Sequence, residues 1–216
     1  METWVCGLDE AGRGPLAGPI VAAAVVFPIA FDFNAHFLGV ALRDSKMLSR
    51  RQREIAYQRI IVCARNWQVE QIDVPDIDAR NIGWANRTIF ERLVQQVDAD
   101  RYVVDGNLKL NIPSDLQPNV QCLVRADQSQ PVVSAASIIA KVTRDRLMQA
   151  LHLLYPVYGW DRNAGYCTVE HLAAIHTYGR SPQHRRQFVD TALRNNRTHR
   201  LNTQLSIFSK PVQNEP

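Results

Sequence analysis

Three short apolar runs in this chain of 216 residues lead into carboxylates. Val5-Cys6-Gly7-Leu8 runs into Asp9-Glu10, Tyr102-Val103-Val104 into Asp105, and Cys122-Leu123-Val124, after two residues, into Asp127. Such runs predict strands, and strand ends in an α/β sheet can converge at one edge, where sites form. Carboxylates brought together repel one another unless a cation neutralises them. Oxygen donors with no His or Cys nearby favour Mg2+ or Mn2+ over zinc. Two such ions side by side suit phosphodiester hydrolysis, one activating water and one stabilising the leaving oxygen. Taken singly, such an acid is more often a cap or turn residue than a ligand, and Asp105-Gly106-Asn107 is a common turn signal. Their recurrence at three strand ends points to a metal site.

The charge distribution adds a partner. The net charge is +4, yet the segment from Arg180 to Arg200 holds six arginines and one acid, Asp190, for a local +5, so the remainder of the chain sums to about −1. Of the 25 basic residues 21 are arginine, the side chain suited to bidentate phosphate contacts. A basic segment beside a balanced body is a nucleic-acid footprint, and its alternative is a solvated helix face. The loop Gly12-Arg13-Gly14-Pro15-Leu16-Ala17-Gly18 is not a dinucleotide-binding turn. Its third glycine falls one place late for G-x-G-x-x-G, and strand-like residues follow it where a helix should open. A Gly-rich turn beside Asp9-Glu10 instead lets backbone N–H groups approach a nucleic-acid strand.

These residues need elements to position them. Residues 3–8 and 20–27 predict two antiparallel strands, since the loop between them is too short for a helical crossover. Ser49-Arg50-Arg51-Gln52 has the form of a capping box opening a helix to about Arg65. Trp67 to Val74 alternates as a strand, and Pro75 begins a turn or short helix. Ile82, Ala85, Ile89, Leu93 and Val97 repeat at helical spacing, predicting a helix over 81–97. Val120 to Val124 reads as a strand, Val132 to Leu154 as a long Ala-rich helix, and Thr168 as the cap of a helix ending at Gly179. Ser181-Pro182 suits the N-cap and first position of a basic helix to about Arg194. The expected architecture is an α/β domain over residues 1–155, a helical extension over 156–194 packed on it, and a flexible tail over 195–216.

Several classes drop out. The longest mostly apolar stretch, Ile20 to Phe31, is too short for a bilayer, and the start METWVCGLDE lacks the basic and apolar parts of a signal peptide. The four cysteines lie 57, 59 and 45 residues apart with no CxxC pair, which argues against zinc knuckles and disulfide scaffolds. A reducing cytoplasm is the expected location.

Gly7-Leu8-Asp9-Glu10-Ala11-Gly12-Arg13-Gly14-Pro15-Leu16-Ala17-Gly18-Pro19 resembles the opening signature of ribonuclease HII, the type 2 ribonuclease H family. The resemblance continues through Asp44-Ser45-Lys46, Val104-Asp105-Gly106, the block from Ser134 to Asp145, Gly165-Tyr166 with Thr168-Val169-Glu170-His171-Leu172, and His184-Arg185-Arg186-Gln187-Phe188. The blocks stand in family order over roughly residues 4 to 194. The resemblance implies a ribonuclease H-like fold, with a mixed central sheet flanked by helices. It implies Asp9, Glu10, Asp105 and Asp127 as catalytic acids binding two Mg2+ or Mn2+ ions, with Asp145 as a fifth acid nearby. Gly12, Arg13 and Gly14 would contact the ribose 2′-OH, Tyr166 would stack on the neighbouring sugar, and Lys46 would hold a phosphate. The implied substrates are the RNA strand of RNA–DNA hybrids and single ribonucleotides embedded in duplex DNA. Hydrolysis would fall on the 5′ side of the ribonucleotide, leaving 3′-OH and 5′-phosphate ends, a chemistry suited to ribonucleotide excision repair. A monomer is expected. The 2′-OH is the group that distinguishes RNA from DNA, so a ribonucleotide-selective enzyme must read it.

The chain departs from the family pattern at Arg125-Ala126, where Lys-Gly is usual, at Ala164, where Lys is common, and at Arg43, where Asn is common. In the tail, Gln204-Leu205-Ser206-Ile207-Phe208 resembles the peptide by which bacterial replication proteins dock on the sliding clamp, with Gln204, Leu205 and Phe208 as its anchors. A non-catalytic hybrid-binding protein and an all-DNA nuclease are the alternative readings. The full set of four acids speaks against the first, and Tyr166 with Gly12-Arg13-Gly14 against the second.

Overall fold

The computed structural model describes residues 2–37 and 48–195. Five strands form one sheet: β1 (Trp4–Ala11), β2 (Ile20–Pro28), β3 (Asn66–Ile72), β4 (Arg101–Asp105) and β5 (Val120–Leu123), in the order β3-β2-β1-β4-β5. β1 pairs antiparallel with β2 and β2 with β3, while β1–β4 and β4–β5 are parallel. The sheet is therefore mixed, and its parallel half carries the acids.

Helices α1 (Phe33–His36), α2 (Arg50–Cys63), α3 (Val74–Arg80), α4 (Ile82–Gln96), α5 (Ala126–Ser129), α6 (Pro131–Leu154), α7 (Trp160–Asn163) and α8 (Val169–Tyr178) surround it, and residues 186–195 are also helical. α4 covers one face with Ala85, Ile89, Phe90 and Leu93 against Cys6, Leu8, Ala22, Ala24 and Val104. α2 and α6 cover the other with Ala56, Ile60, Ala135, Ala136 and Ile139 against Ala23, Val25 and Phe27. β2 lies between two strands and under helices on both faces, which is why Ile20 to Phe27 is one unbroken apolar run. A third cluster joins Leu16 and Ala17 to Met148, Tyr158, Trp160, Ile175 and Val189, so the Gly-rich loop has a core of its own beneath it. Among the described residues no helix is long and apolar enough to cross a membrane.

Local signals set most boundaries. Ser49 accepts from the Gln52 N–H while the Gln52 side chain accepts from the Ser49 N–H, completing the capping box of α2. Thr168 accepts from the His171 N–H and starts α8, and Gly179 follows its last turn. Two expectations change. β1 extends to Ala11, because β2 begins at Ile20 and pairs Glu10 with Ala22 and Ala11 with Val21; the acids are held in the strand itself. The basic helix begins at 186 rather than 182. The His184 N–H closes a turn on the Ser181 carbonyl, His184 bridges to Ala17 and the Arg185 N–H donates to the Leu16 carbonyl at 2.8 Å, so this stretch is pinned to the loop before the helix can start.

Candidate metal centre and the loops beside it

The parallel register places Leu8 beside Val104, so Asp9 and Asp105 follow as neighbours at the strand ends. Alternation decides which way they face: Cys6, Leu8, Tyr102 and Val104 point into the α4 core, so Asp9 and Asp105 point to the α6 side. One ligand oxygen each from Asp9, Glu10 and Asp105 lie within 4.8 Å of one another. Asp9 is buried, accepts the Glu10 N–H at 2.7 Å, and is also bonded by the Ser137 side chain of α6. Burial pushes the Asp9 carboxyl well above the usual range, the neighbouring charges of Glu10 and Asp105 push the same way, and the Ser137 and Glu10 hydrogen bonds only partly oppose them. Three carboxylates at this spacing, one of them desolvated, form a donor set of hard oxygens suited to a divalent cation such as Mg2+ or Mn2+.

Asp127 is reached differently. Arg125 adopts the left-handed conformation, φ 58° and ψ 38°, and turns the chain into α5, where Asp127 sits in the first turn, buried. The positive φ thus falls on Arg125, and Ala126 is helical and fully buried, so an alanine there carries no backbone strain. The Ala126 N–H donates to Asp105 at 2.7 Å and the Ser134 hydroxyl to the Asp127 carbonyl at 2.6 Å, tying α5 to the strand-end acids. Asp127 itself is outside the group of three. Asp145 is engaged elsewhere: Lys141 donates to it at 2.6 Å and Arg53 lies 3.9 Å away.

Beside the acids the Gly-rich loop is held from below by two buried arginines. Arg144 of α6, 1% exposed, donates to the carbonyls of Pro19, Ala164 and Ala17, each at 3.0 Å. Arg185, 0% exposed, donates to Gly12 at 2.6 Å, Arg13 at 3.1 Å, and Gly18 at 2.8 and 2.9 Å. Burial lowers the pKa of both, and repulsion by Arg144 helps bring Arg185 down to about 9. Gly12 has φ 95°, and a Cβ there would stand 2.0 Å from Arg144 Nε, so only glycine fits over the guanidinium. Arg13 and Gly14 remain exposed at the tip.

Tyr166 is 44% exposed, its ring 5.9 Å from the Arg144 guanidinium and 6.0 Å from Lys141 Nζ. Its backbone is fixed by a buried histidine pair. The Ser181 N–H donates to His184 Nδ1 at 2.9 Å, so the proton of His184 is on Nε2, which donates to His171 Nε2 at 3.1 Å. His171 Nε2 also accepts from Trp160 Nε1 at 3.0 Å, and His171 Nδ1 donates to the Tyr166 carbonyl at 2.8 Å. The Ser181 N–H facing His184 Nδ1 and the Trp160 indole N–H facing His171 Nε2 leave those nitrogens unprotonated, so both rings are neutral, and desolvation lowers both pKa values, that of His184 to about 4. The chain reaches Tyr166 through Ala164, itself left-handed at φ 46°, and Gly165, φ 80°, whose carbonyl accepts the Leu16 N–H at 2.8 Å.

Of the four acids expected to gather, Asp9, Glu10 and Asp105 lie together and Asp127 falls outside their group. The basic segment from Arg180 was expected to face phosphate, whereas Arg185 is internal, Arg180 pairs with Asp190, and Arg186 lies against Asp78. Arg144, His171 and His184 stood only within family blocks, and among their charged and polar sequence neighbours nothing marked them as members of a shared buried network. Lys46, Gln204, Leu205 and Phe208 lie outside the described residues.

A family model described as Ribonuclease HII matches residues 6–191. Ribonuclease HII of Ralstonia pickettii (strain 12J) is 46% identical over 189 residues, covering 85% of this chain and 77% of that protein. The crystal structure of ribonuclease H2 from Pyrococcus horikoshii OT3 superposes with a TM-score of 0.70 at 26% identity, covering 90% of this chain and 99% of that one. The PCNA:RNase HII complex from Archaeoglobus fulgidus gives 0.68 at 26% identity over 84% and 91% of the two chains. With a mixed sheet whose parallel strand ends gather three acids, and a family match spanning nearly all the described core, the chain belongs to the ribonuclease HII family of metal-dependent endonucleases and has the ribonuclease H-like fold.

Proposed function

We propose that this protein hydrolyses the RNA strand of RNA–DNA hybrids and single ribonucleotides embedded in duplex DNA, cutting 5′ to the ribonucleotide to leave 3′-OH and 5′-phosphate ends. The observation that carries this reading is the gathering of Asp9, Glu10 and Asp105 within 4.8 Å beside an exposed Arg13-Gly14 turn. Asp9, Glu10, Asp105 and Asp127 would hold two Mg2+ or Mn2+ ions, which when bound supply an activated water and neutralise charge on the leaving oxygen. The protein's own contribution is to fix those oxygens. The sheet holds Asp9 and Asp105, Ser137 orients Asp9, and the Ala126 N–H orients Asp105. Gly12, Arg13 and Gly14 read the 2′-OH from the turn, Tyr166 meets the adjacent sugar with its exposed ring, and Lys46 holds a phosphate.

The tail segment Gln204-Leu205-Ser206-Ile207-Phe208 is read as a sliding-clamp peptide, a reading supported by the clamp complex of the Archaeoglobus fulgidus relative. The protein would act as a monomer in the cytoplasm. The deciding assay uses a duplex with one embedded ribonucleotide and an all-DNA control, each with and without Mg2+ or Mn2+. Cleavage is expected only with the ribonucleotide and the metal; cutting of the all-DNA duplex, or undiminished cutting by Asp105→Asn, would overturn the reading. Clamp pull-down with the full chain against one cut after Asn202 tests the tail, and equal binding sinks that part.

A further inference from the structure

Two surface segments stand ready to meet a substrate, the Gly12–Gly14 turn and Tyr166, and they come from parts of the chain some 150 residues apart. One side chain bonds the chain flanking each of them. The Arg144 guanidinium donates to Ala17 and Pro19 on the far limb of the Gly-rich loop and to Ala164 on the segment leading into Tyr166, all at 3.0 Å. It also underlies Gly12 so closely that no Cβ would fit there, and it lies 5.9 Å from the Tyr166 ring. Around this clamp the same two segments meet directly, Leu16 N–H to the Gly165 carbonyl at 2.8 Å. A Cβ on Gly165 would stand 2.5 Å from the Ala17 carbonyl.

Arg144 is also placed to register this seam against the acids. It lies on α6 seven residues beyond Ser137, which bonds Asp9, a separation of about 10 Å along a helix rising 1.5 Å per residue. Burying a guanidinium among carbonyls is costly for stability compared with an apolar side chain of similar size. A rigid planar fork is, however, the donor that can hold three carbonyls from two segments in one geometry.

We propose that Arg144 is a positioning residue that fixes the Gly12–Gly14 turn relative to Tyr166, and so sets the preference for a lone ribonucleotide flanked by deoxyribonucleotides over a continuous RNA strand. The proposal rests on the reading above that the turn and Tyr166 meet neighbouring sugars. On a lone ribonucleotide the turn must find the single 2′-OH while the ring lies on the adjoining sugar, so an error in their separation defeats recognition. On a continuous RNA strand every register offers a 2′-OH, and the same error matters less.

The test compares Arg144→Lys with wild type on the embedded-ribonucleotide duplex and on a continuous hybrid. An ammonium cannot span three carbonyls, so kcat/KM on the embedded ribonucleotide is expected to fall roughly 10- to 100-fold more than on the hybrid, the scale of a misplacement near 1 Å. Combined with Tyr166→Ala, that loss of preference should be non-additive, because both changes disable one coupled reader. Equal losses on the two substrates, or additivity with Tyr166→Ala, overturn the proposal. Gly165→Ala wedges the same seam with Arg144 in place and should lower the same ratio; it serves where Arg144→Lys does not fold. Amide exchange separates this idea from the activity reading. In the wild type the Leu16 and Gly18 N–H groups should exchange as slowly as those of β2, and in Arg144→Lys faster, whatever the enzyme cleaves. Fast exchange in the wild type overturns the positioning role, whereas slow exchange in a protein that cuts no ribonucleotide substrate overturns the proposed function alone.

Discussion

The strand-end acids, with Asp9 buried and Glu10 and Asp105 half-buried, and the arginine-histidine seam are polar clusters less than one long helix apart, and they are built on opposite principles. At the acids like charges meet: Asp9 is desolvated, and Glu10 and Asp105 raise its pKa further. In the seam the cations are surrounded by carbonyls, and the two histidines are locked in neutral tautomers by a directed chain of hydrogen bonds from Ser181 to Tyr166. The first cluster is left electrostatically unfavourable and so can take up a cation; the second is satisfied internally and so can hold its shape. Removing a member should therefore free the first region from strain and collapse the second.

The largest expected effect is on activity. Asp105→Asn should lower cleavage by roughly a thousandfold or more, about 4 kcal/mol of transition-state stabilisation, while the melting temperature stays level or rises. A clear loss of stability in that variant would show the acids to be structural. Arg185→Ala should do the reverse. It strands the carbonyls of Gly12, Arg13 and Gly18 in the interior, and denaturant unfolding should show a loss of about 3 kcal/mol or more. A smaller effect follows from ligand linkage. Mn2+ at a hundred times its dissociation constant should stabilise the fold by about 2.7 kcal/mol, seen as a rise in melting temperature that Asp105→Asn abolishes and Arg144→Lys preserves.

The smallest effect is in pH dependence, where the regions should differ in sign. The Asp9 pKa is raised in the folded state, so without metal its unfavourable contribution grows as the pH rises above the ordinary carboxylate range. His184 is depressed from 6.5 to about 4, so the folded state binds fewer protons between those values. Its contribution to stability is complete above about pH 6.5 and is lost as the pH falls toward 4. Melting temperatures across that range should decline less steeply toward acid in His184→Gln than in wild type, and parallel curves would show that the pair does not titrate on unfolding.

Much of the fold could be read along the chain because its signals are local. The Ser49–Gln52 capping box, the Thr168 cap, the helical spacing from Ile82 to Leu93 and the unbroken apolar run of β2 each depend on residues a few positions apart. The short helix α5 was not legible, since it begins with Arg125 in a left-handed conformation that arginine gives no sign of adopting. The late start of the basic helix was hidden for a similar reason: Ser181-Pro182 is a sound cap locally, and only the pairing of His184 with Ala17 overrides it. Of the site, Asp9, Glu10 and Asp105 were visible because each closes an apolar run, which the parallel register then brings to one edge.

The sequence by itself determined which apolar runs close on acids, where the Gly-rich turn falls, and which family the chain resembles. The tertiary structure decided the sorting of charge. Arg144 and Arg185 look like any other arginines in the sequence, yet the Gly-rich loop folds over them and their donors are taken by its carbonyls. Nothing local distinguishes an arginine that will hold a phosphate from one that will hold a loop, because the Gly-rich loop that supplies the acceptors lies more than a hundred residues away in sequence.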